Sequence, residues 1–246
     1  MTIWHTVFMC IALLIVGRGL RRGIERVVKL LMPALFVTLL ALVITSAFPG
    51  DFAAATDFLY TADQSKIPWY VVLAAVGQAF FSVKVGVGGV LTYSAYLPKD
   101  VNIFQSSMIV AIGDTLVALL AGLAIFPIVF ANGLDPAEGP GLIFVTLSTA
   151  FAQMPAGSII GSAFFLMILF AALTSSISML ETMTARLFEV RGMTRTKAAS
   201  MIGASTFLVG LITVFSFSTW ESTYLLGQFE TFATKTPFDL IDYMVT

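Results

Sequence analysis

Long apolar runs, separated by short clusters of polar and turn residues, set the architecture of this chain. Residues 2–17, 27–48, 68–96, 103–130, 158–189 and 196–217 are dominated by aliphatic and aromatic side chains, and they predict six hydrophobic helices. A membrane span takes about 20 mostly apolar residues to cross roughly 30 Å of hydrocarbon, and several of these segments meet that test. Turn chemistry marks some of the ends. The second run stops at Pro49-Gly50, and the third begins at Pro68 and stops before Pro98. After Pro237, residues 238–245 read as the start of a further helix that the chain end cuts off.

The polar connections carry a second pattern. Arg18, Arg21, Arg22, Arg26 and Lys29 lie between the first two helices, Lys99 between the third and fourth, and Arg186, Arg191, Arg195 and Lys197 between the fifth and sixth. The opposite loops, 49–67 and 131–157, carry a single basic residue, Lys66. The positive-inside rule therefore places loops 18–29, 97–101 and 186–197 on the cytoplasmic side of an inner or plasma membrane. Loop 131–157 also contains an apolar stretch, 142–151, between Pro140-Gly141 and Pro155. It is too short to span, and is expected to fold back over the outer surface as a lid.

Composition narrows the class. The chain is 58% hydrophobic and 11% charged, with mean hydropathy +0.96. A soluble domain carries about 25% charged residues, so too little polar surface remains here to clothe one. The reading is an all-α integral membrane protein, one transmembrane domain over residues 1–246, with the lipid bilayer as its first partner. A net charge of −1 with no polybasic or acidic tail points away from nucleic acid. One cysteine, Cys10, and one histidine, His5, exclude an internal disulfide and a Cys/His metal cluster. They also leave a membrane enzyme without a nucleophile–base set.

Ionisable groups at membrane depth are expensive and mark function by default. Lys84 and Asp114 stand near the midpoints of the third and fourth runs, within roughly 5 Å of the bilayer centre at helical rise. The hydroxyl run Thr174-Ser175-Ser176 lies near the middle of the fifth. Three polar features on three helices thus share one depth. Gly86, Gly88 and Gly89 follow Lys84, with Gly77 before it. Glycine costs about 1 kcal/mol relative to alanine in a helix interior, so the cluster suggests a break at mid-membrane. Such a break is tolerated only where it is buried or lines a cavity, and it frees carbonyls for a cation and amides for a carboxylate. Blander readings stand beside these. Small residues permit close helix packing, membrane hydroxyls bond back to their own helix, and Lys84 and Asp114 suit a structural ion pair.

The stretch Val76-Gly-Gln-Ala-Phe-Phe-Ser-Val-Lys-Val-Gly-Val-Gly-Gly-Val-Leu-Thr-Tyr-Ser-Ala-Tyr96 resembles the sixth helix of the neurotransmitter:sodium symporter family, whose members have the leucine-transporter (LeuT) fold. Arg22-Gly-Ile-Glu-Arg26 followed by Met32-Pro33 looks like the loop into the fifth helix. Gly113-Asp-Thr-Leu-Val-Ala-Leu-Leu-Ala-Gly122 looks like the seventh, and Ala171-Ala-Leu-Thr-Ser-Ser176 like the eighth. The resemblance implies a partial LeuT-fold bundle, from about the fourth helix to the start of the tenth. It further implies a fragment whose partners include the missing helices of a full-length transporter.

What the resemblance implies residue by residue is as follows. The Ala171 carbonyl and the Thr174 and Ser175 hydroxyls match one sodium site, and Ser82 and Asp114 match the other. Phe81 matches an aromatic lid over the substrate and, with Gln78, an outer gate. Val87 and Met179 match the apolar side of the substrate pocket, to which Ser82, Lys84 and Ser175 also belong. The aspartate at 114 is expected to take the place of chloride, so chloride is not required, and no organic cofactor is implied. Lys84 departs from the family, which usually has serine there. Three explanations compete: it binds an acidic group on the substrate, it pairs with Asp114 and displaces sodium, or it carries a coupling proton. The pairing is favoured, because an unpaired ammonium at this depth costs at least several kcal/mol. The expected function is sodium-coupled symport of an amino acid or related small amine by alternating access, without covalent chemistry. Its rivals are a proton- or lysine-coupled transporter of the same fold that lacks the first sodium site, and a channel or non-transporting scaffold.

Overall fold

The computed structural model describes residues 1–246 except 49, 62–66, 87, 99, 137–141, 155, 221–222, 225–227, 229–234 and 246; it leaves undescribed the side chains of Arg21, Leu142, Asp242, Met244 and Val245. Among the described residues the chain is all-helical: α1 (Thr2–Gly17), α2 (Glu25–Ser46), α3 (Phe52–Tyr60), α4 (Trp69–Ser82), α5 (Gly89–Ser94), α6 (Ile103–Ala131), α7 (Leu147–Gln153), α8 (Gly157–Arg191), α9 (Arg195–Ser216) and α10 (Pro237–Val245). Single π-helical turns, Leu20–Ile24 and Leu142–Thr146, lead into α2 and α7. Four helical segments are long and apolar enough to cross a membrane: Arg22–Ser46, α6, α8 and α9. The apolar run 68–96 is interrupted. α4 stops at Ser82 and α5 starts at Gly89, so α4, at 14 residues or about 21 Å, falls short of a full crossing.

The chain divides into two compact units, Val28–Ser175 and Met1–Val27 with Ser176–Thr246. The core of Val28–Ser175 joins Leu39 and Leu42 of α2 to Ala124, Ile128 and Val129 of α6, and to Phe164 and Met167 of α8. The short helix α7, inside loop 131–157, buries Leu147, Ala150 and Phe151 in the same cluster. Its return into α8 requires glycine, since a Cβ at Gly157 would collide with the Phe151 carbonyl. α3 is capped by Asp51, which accepts from the Ala54 N–H at 2.9 Å, and its Phe58 ring packs 4.9 Å from Phe126. Pro127 inside α6 has no N–H, which deprives the Leu123 carbonyl of its helical partner. The buried hydroxyl of Ser46 shares its proton between the Val43 carbonyl of its own helix at 3.0 Å and that Leu123 carbonyl at 3.1 Å, so α2 supplies a partner that α6 lacks.

In the other unit, α1 lies directly on α9. Gly203 and Gly210 make the approach possible: a Cβ at 203 would strike the Leu13 side chain, and one at 210 would lie 2.5 Å from the His5 ring. His5 stacks on Phe207 at 4.9 Å, a packing role. α10 begins with a capping box. The Asp239 carboxylate accepts from the Thr236 N–H at 2.8 Å, and the Thr236 hydroxyl accepts from the Asp239 N–H at 3.3 Å, with Pro237 at the first helical position.

Candidate ion and solute site

The break between α4 and α5 is a folded loop with its own hydrogen bonds. The Val85 N–H donates to Phe80, Gly88 to Val85 and Gly89 to Lys84, each at 3.1 Å. Gly88 has φ +73°, the left-handed region where glycine is free of steric cost. Lys84 has φ +58°, and for a residue with a side chain that conformation is a strain of about 1–3 kcal/mol. A Cβ at Gly89 would lie 3.2 Å from the Lys84 Cβ, so the loop closes tightly on the lysine.

At the end of α4, the Ser82 hydroxyl lies 2.8 and 2.7 Å from the two carboxylate oxygens of Asp114 in α6, sharing its proton between them. Both residues are half-buried. One hydroxyl oxygen and two carboxylate oxygens make a cluster of hard donors, which suits a hard cation and not a thiolate- or imidazole-seeking metal. Among the described residues no group of three or more His, Cys, Asp or Glu is placed to hold a metal ion. The favoured Lys84–Asp114 pairing is not formed. Among the described residues the Lys84 ammonium makes no ion pair or hydrogen bond, and Asp114 is engaged by Ser82.

On α8, Ala171, Thr174 and Ser175 fall at i, i+3 and i+4, which puts them on one face. Thr174 donates to the Ala171 carbonyl at 2.9 Å and to Phe170 at 3.0 Å. That is the usual back-bond of a membrane hydroxyl. It uses the threonine proton and leaves its oxygen lone pairs open. Ser175 is exposed and makes no hydrogen bond among the described residues. The face therefore offers two neutral hydroxyl oxygens, beside the Ala171 carbonyl that already accepts the Thr174 proton. No hydrogen bond joins this set to Ser82 and Asp114 among the described residues. Gln78 and Phe81 lie on α4, which has no buried residue, and Phe81 is 61% exposed. Met179, further along α8, is also exposed. Val87 lies outside the described residues.

The hydropathy reading passed over Glu181. It stands in α8 with 0% exposure, bonded to Arg195 at the start of α9. Arg195 also donates through Nε to the Val16 carbonyl at the end of α1, at 3.1 Å. One side chain from the basic loop thus ties three helices together. The signal was present, since Glu181 is an acid inside an apolar run just as Lys84 is a base.

Residues 2–245 match the model of the family described as "Sodium:neurotransmitter symporter family". The "Uncharacterized sodium-dependent transporter YhdH" of Bacillus subtilis (strain 168) is 38% identical over 240 residues, covering 98% of this chain and 52% of the relative. The "Sodium- and chloride-dependent neutral and basic amino acid transporter B(0+)" of Mus musculus is 30% identical over 232 residues, covering 86% of this chain and 36% of the relative. A solved structure, MhsT in complex with L-phenylalanine, superposes with TM-score 0.84 at 38% identity, over 99% of this chain and 54% of MhsT. The chain spans about half the length of YhdH and of MhsT.

Proposed function

This chain belongs to the sodium:neurotransmitter symporter family, which comprises transporters and not enzymes, and from that we propose that it forms part of a sodium-coupled symporter for an amino acid or related small amine. It is a multi-pass membrane protein whose helices match about half of the LeuT-fold protein MhsT. The observation that carries the reading is the Ser82–Asp114 cluster beside the broken helix, where three hard oxygens meet. Sodium binds there and at the Ala171, Thr174 and Ser175 oxygens. The second site holds the outward-open state, and the solute then binds beside the break, with Phe81 and Gln78 over it. Rocking of the bundle exposes both to the cytoplasm, and the sodium gradient drives the cycle.

The bound solute of MhsT and the name of the murine relative support an amino acid as the class carried. The negative charge on Asp114 supports transport that needs no chloride. The basic loops support placing 18–29, 97–101 and 186–197 in the cytoplasm, in a plasma or inner membrane. The transport unit includes the helices that YhdH and MhsT carry beyond this segment. The deciding experiment is counterflow of a labelled amino acid into sodium-loaded liposomes holding the full-length protein. Uptake is expected only with sodium present, and equal uptake with potassium or choline in its place would sink the reading.

A further inference from the structure

Two costs converge on Lys84. Its backbone is held in the left-handed region at φ +58°, and its ammonium is half-buried in a membrane-depth layer with no ion pair or hydrogen bond among the described residues. A charge at mid-membrane without a partner costs at least several kcal/mol. The Asp114 carboxylate makes no ion pair with it; its contact is the Ser82 hydroxyl at 2.7–2.8 Å. The backbone at 84 is held in place, because the Gly89 N–H bonds to the Lys84 carbonyl at 3.1 Å.

We propose that Lys84 binds an anionic group of the transported solute, so that the solute class is a net-anionic amino acid with a second carboxylate. This rests on the sodium-coupled reading above. The argument is one of charge balance. With sodium on the Ser82–Asp114 cluster, the carboxylate is neutralised and Lys84 leaves one positive charge at the break. Sodium on the neutral Ala171, Thr174 and Ser175 oxygens adds to it. A zwitterionic amino acid brings no net charge and leaves the ammonium uncompensated. An amino acid with a second carboxylate brings one negative charge, and its oxygen accepts a charge-assisted hydrogen bond from Lys84. The left-handed backbone at 84 fits this account, since strained conformations of non-glycine residues concentrate at ligand clamps.

The test is competition against sodium-driven counterflow in liposomes carrying the full-length protein, using glutamate, aspartate, leucine and phenylalanine as solutes. The acidic pair is expected to compete at concentrations about tenfold or more below the neutral pair, the effect of one charge-assisted hydrogen bond. Lys84→Ser is expected to reverse that order, and Lys84→Arg to keep it. If sodium drives neutral amino acids and the acidic pair does not compete, the solute assignment is overturned while sodium-coupled transport stands. If sodium drives none of the four, the transport reading falls and this inference with it. Should Lys84→Ser fail to fold, the competition order of the unmutated protein and of Lys84→Arg still decides.

Discussion

Arg195→Ala tests the clamp at the ends of α1, α8 and α9. The substitution removes the bond to Glu181 and the Nε donation to the Val16 carbonyl. Glu181 is 0% exposed, and among the described residues its other oxygen, Oε1, has no hydrogen-bond partner, nor has the buried Thr184 hydroxyl. After the change the carboxylate is buried with neither oxygen bonded. Removing one member of a buried pair costs about 3–5 kcal/mol. Arg195 keeps 21% exposure, so solvent screens part of the interaction and the low end, about 3 kcal/mol, is expected. Glu181→Gln costs less, because the freed guanidinium retains an outlet to water and the glutamine is neutral. The double variant is expected to cost less than the sum of the singles by about 1–3 kcal/mol, the coupling range of contacting residues. Thermal unfolding of the protein in detergent micelles, followed by tryptophan fluorescence, gives the four midpoints of the cycle. An Arg195→Ala loss below about 1 kcal/mol, or singles that add without coupling, would refute the claim that this pair holds the helix ends.

Three further outcomes follow from the packing and the site. Ser46→Ala strands the Leu123 carbonyl beside Pro127 and is expected to destabilise by about 1–3 kcal/mol, whereas Thr45→Ala, whose hydroxyl only bonds back to Leu42, stays within about 0.5 kcal/mol in the same melting assay. Gly157→Ala drives a Cβ into the Phe151 backbone, where no side chain can yield, and is expected to cost about 1–3 kcal/mol or more and to loosen the α7–α8 turn to protease. Asp114→Ala is expected to raise the sodium concentration for half-maximal counterflow about tenfold or more, Ser82→Ala less, and Asp114→Asn is expected to make uptake rise when chloride replaces gluconate; sodium curves that overlay the wild type would remove the first sodium site from the scheme.

Much of the fold is legible along the chain because lipid imposes a simple rule. Every backbone polar group must be satisfied within its own helix, so an apolar run of sufficient length reads directly as a helix. The glycines at 86, 88 and 89 announce the break for the same local reason, and Pro127 announces an unpaired carbonyl at Leu123. What answers that carbonyl is not local. The donor is Ser46, from a helix 77 positions earlier, and its own neighbourhood resembles that of any membrane serine. Gly203 and Gly210 read as two small residues until α1 comes to lie against them, with Leu13 and His5 in the space their side chains would need.

The chemistry divides along the same line. The motifs around 76–96, 113–122 and 171–176 predict one depth for Ser82, Lys84, Asp114 and Thr174, since helical rise converts position into height. Depth does not say which charge meets which. By charge alone Lys84 belongs with Asp114, but the left-handed turn at 84 and the reach of the Ser82 hydroxyl give the carboxylate to the serine and leave the lysine apart. Arg195 reads by composition as one cation of a cytoplasmic loop, and only the tertiary structure turns it inward onto Glu181. The sequence by itself determined the family, the helices and the level at which polar groups gather, because each depends on residues near in the chain or on a one-dimensional hydropathy pattern. The pairing of those polar groups was decided by the tertiary structure, because a hydrogen bond selects its partner by distance and direction across helices.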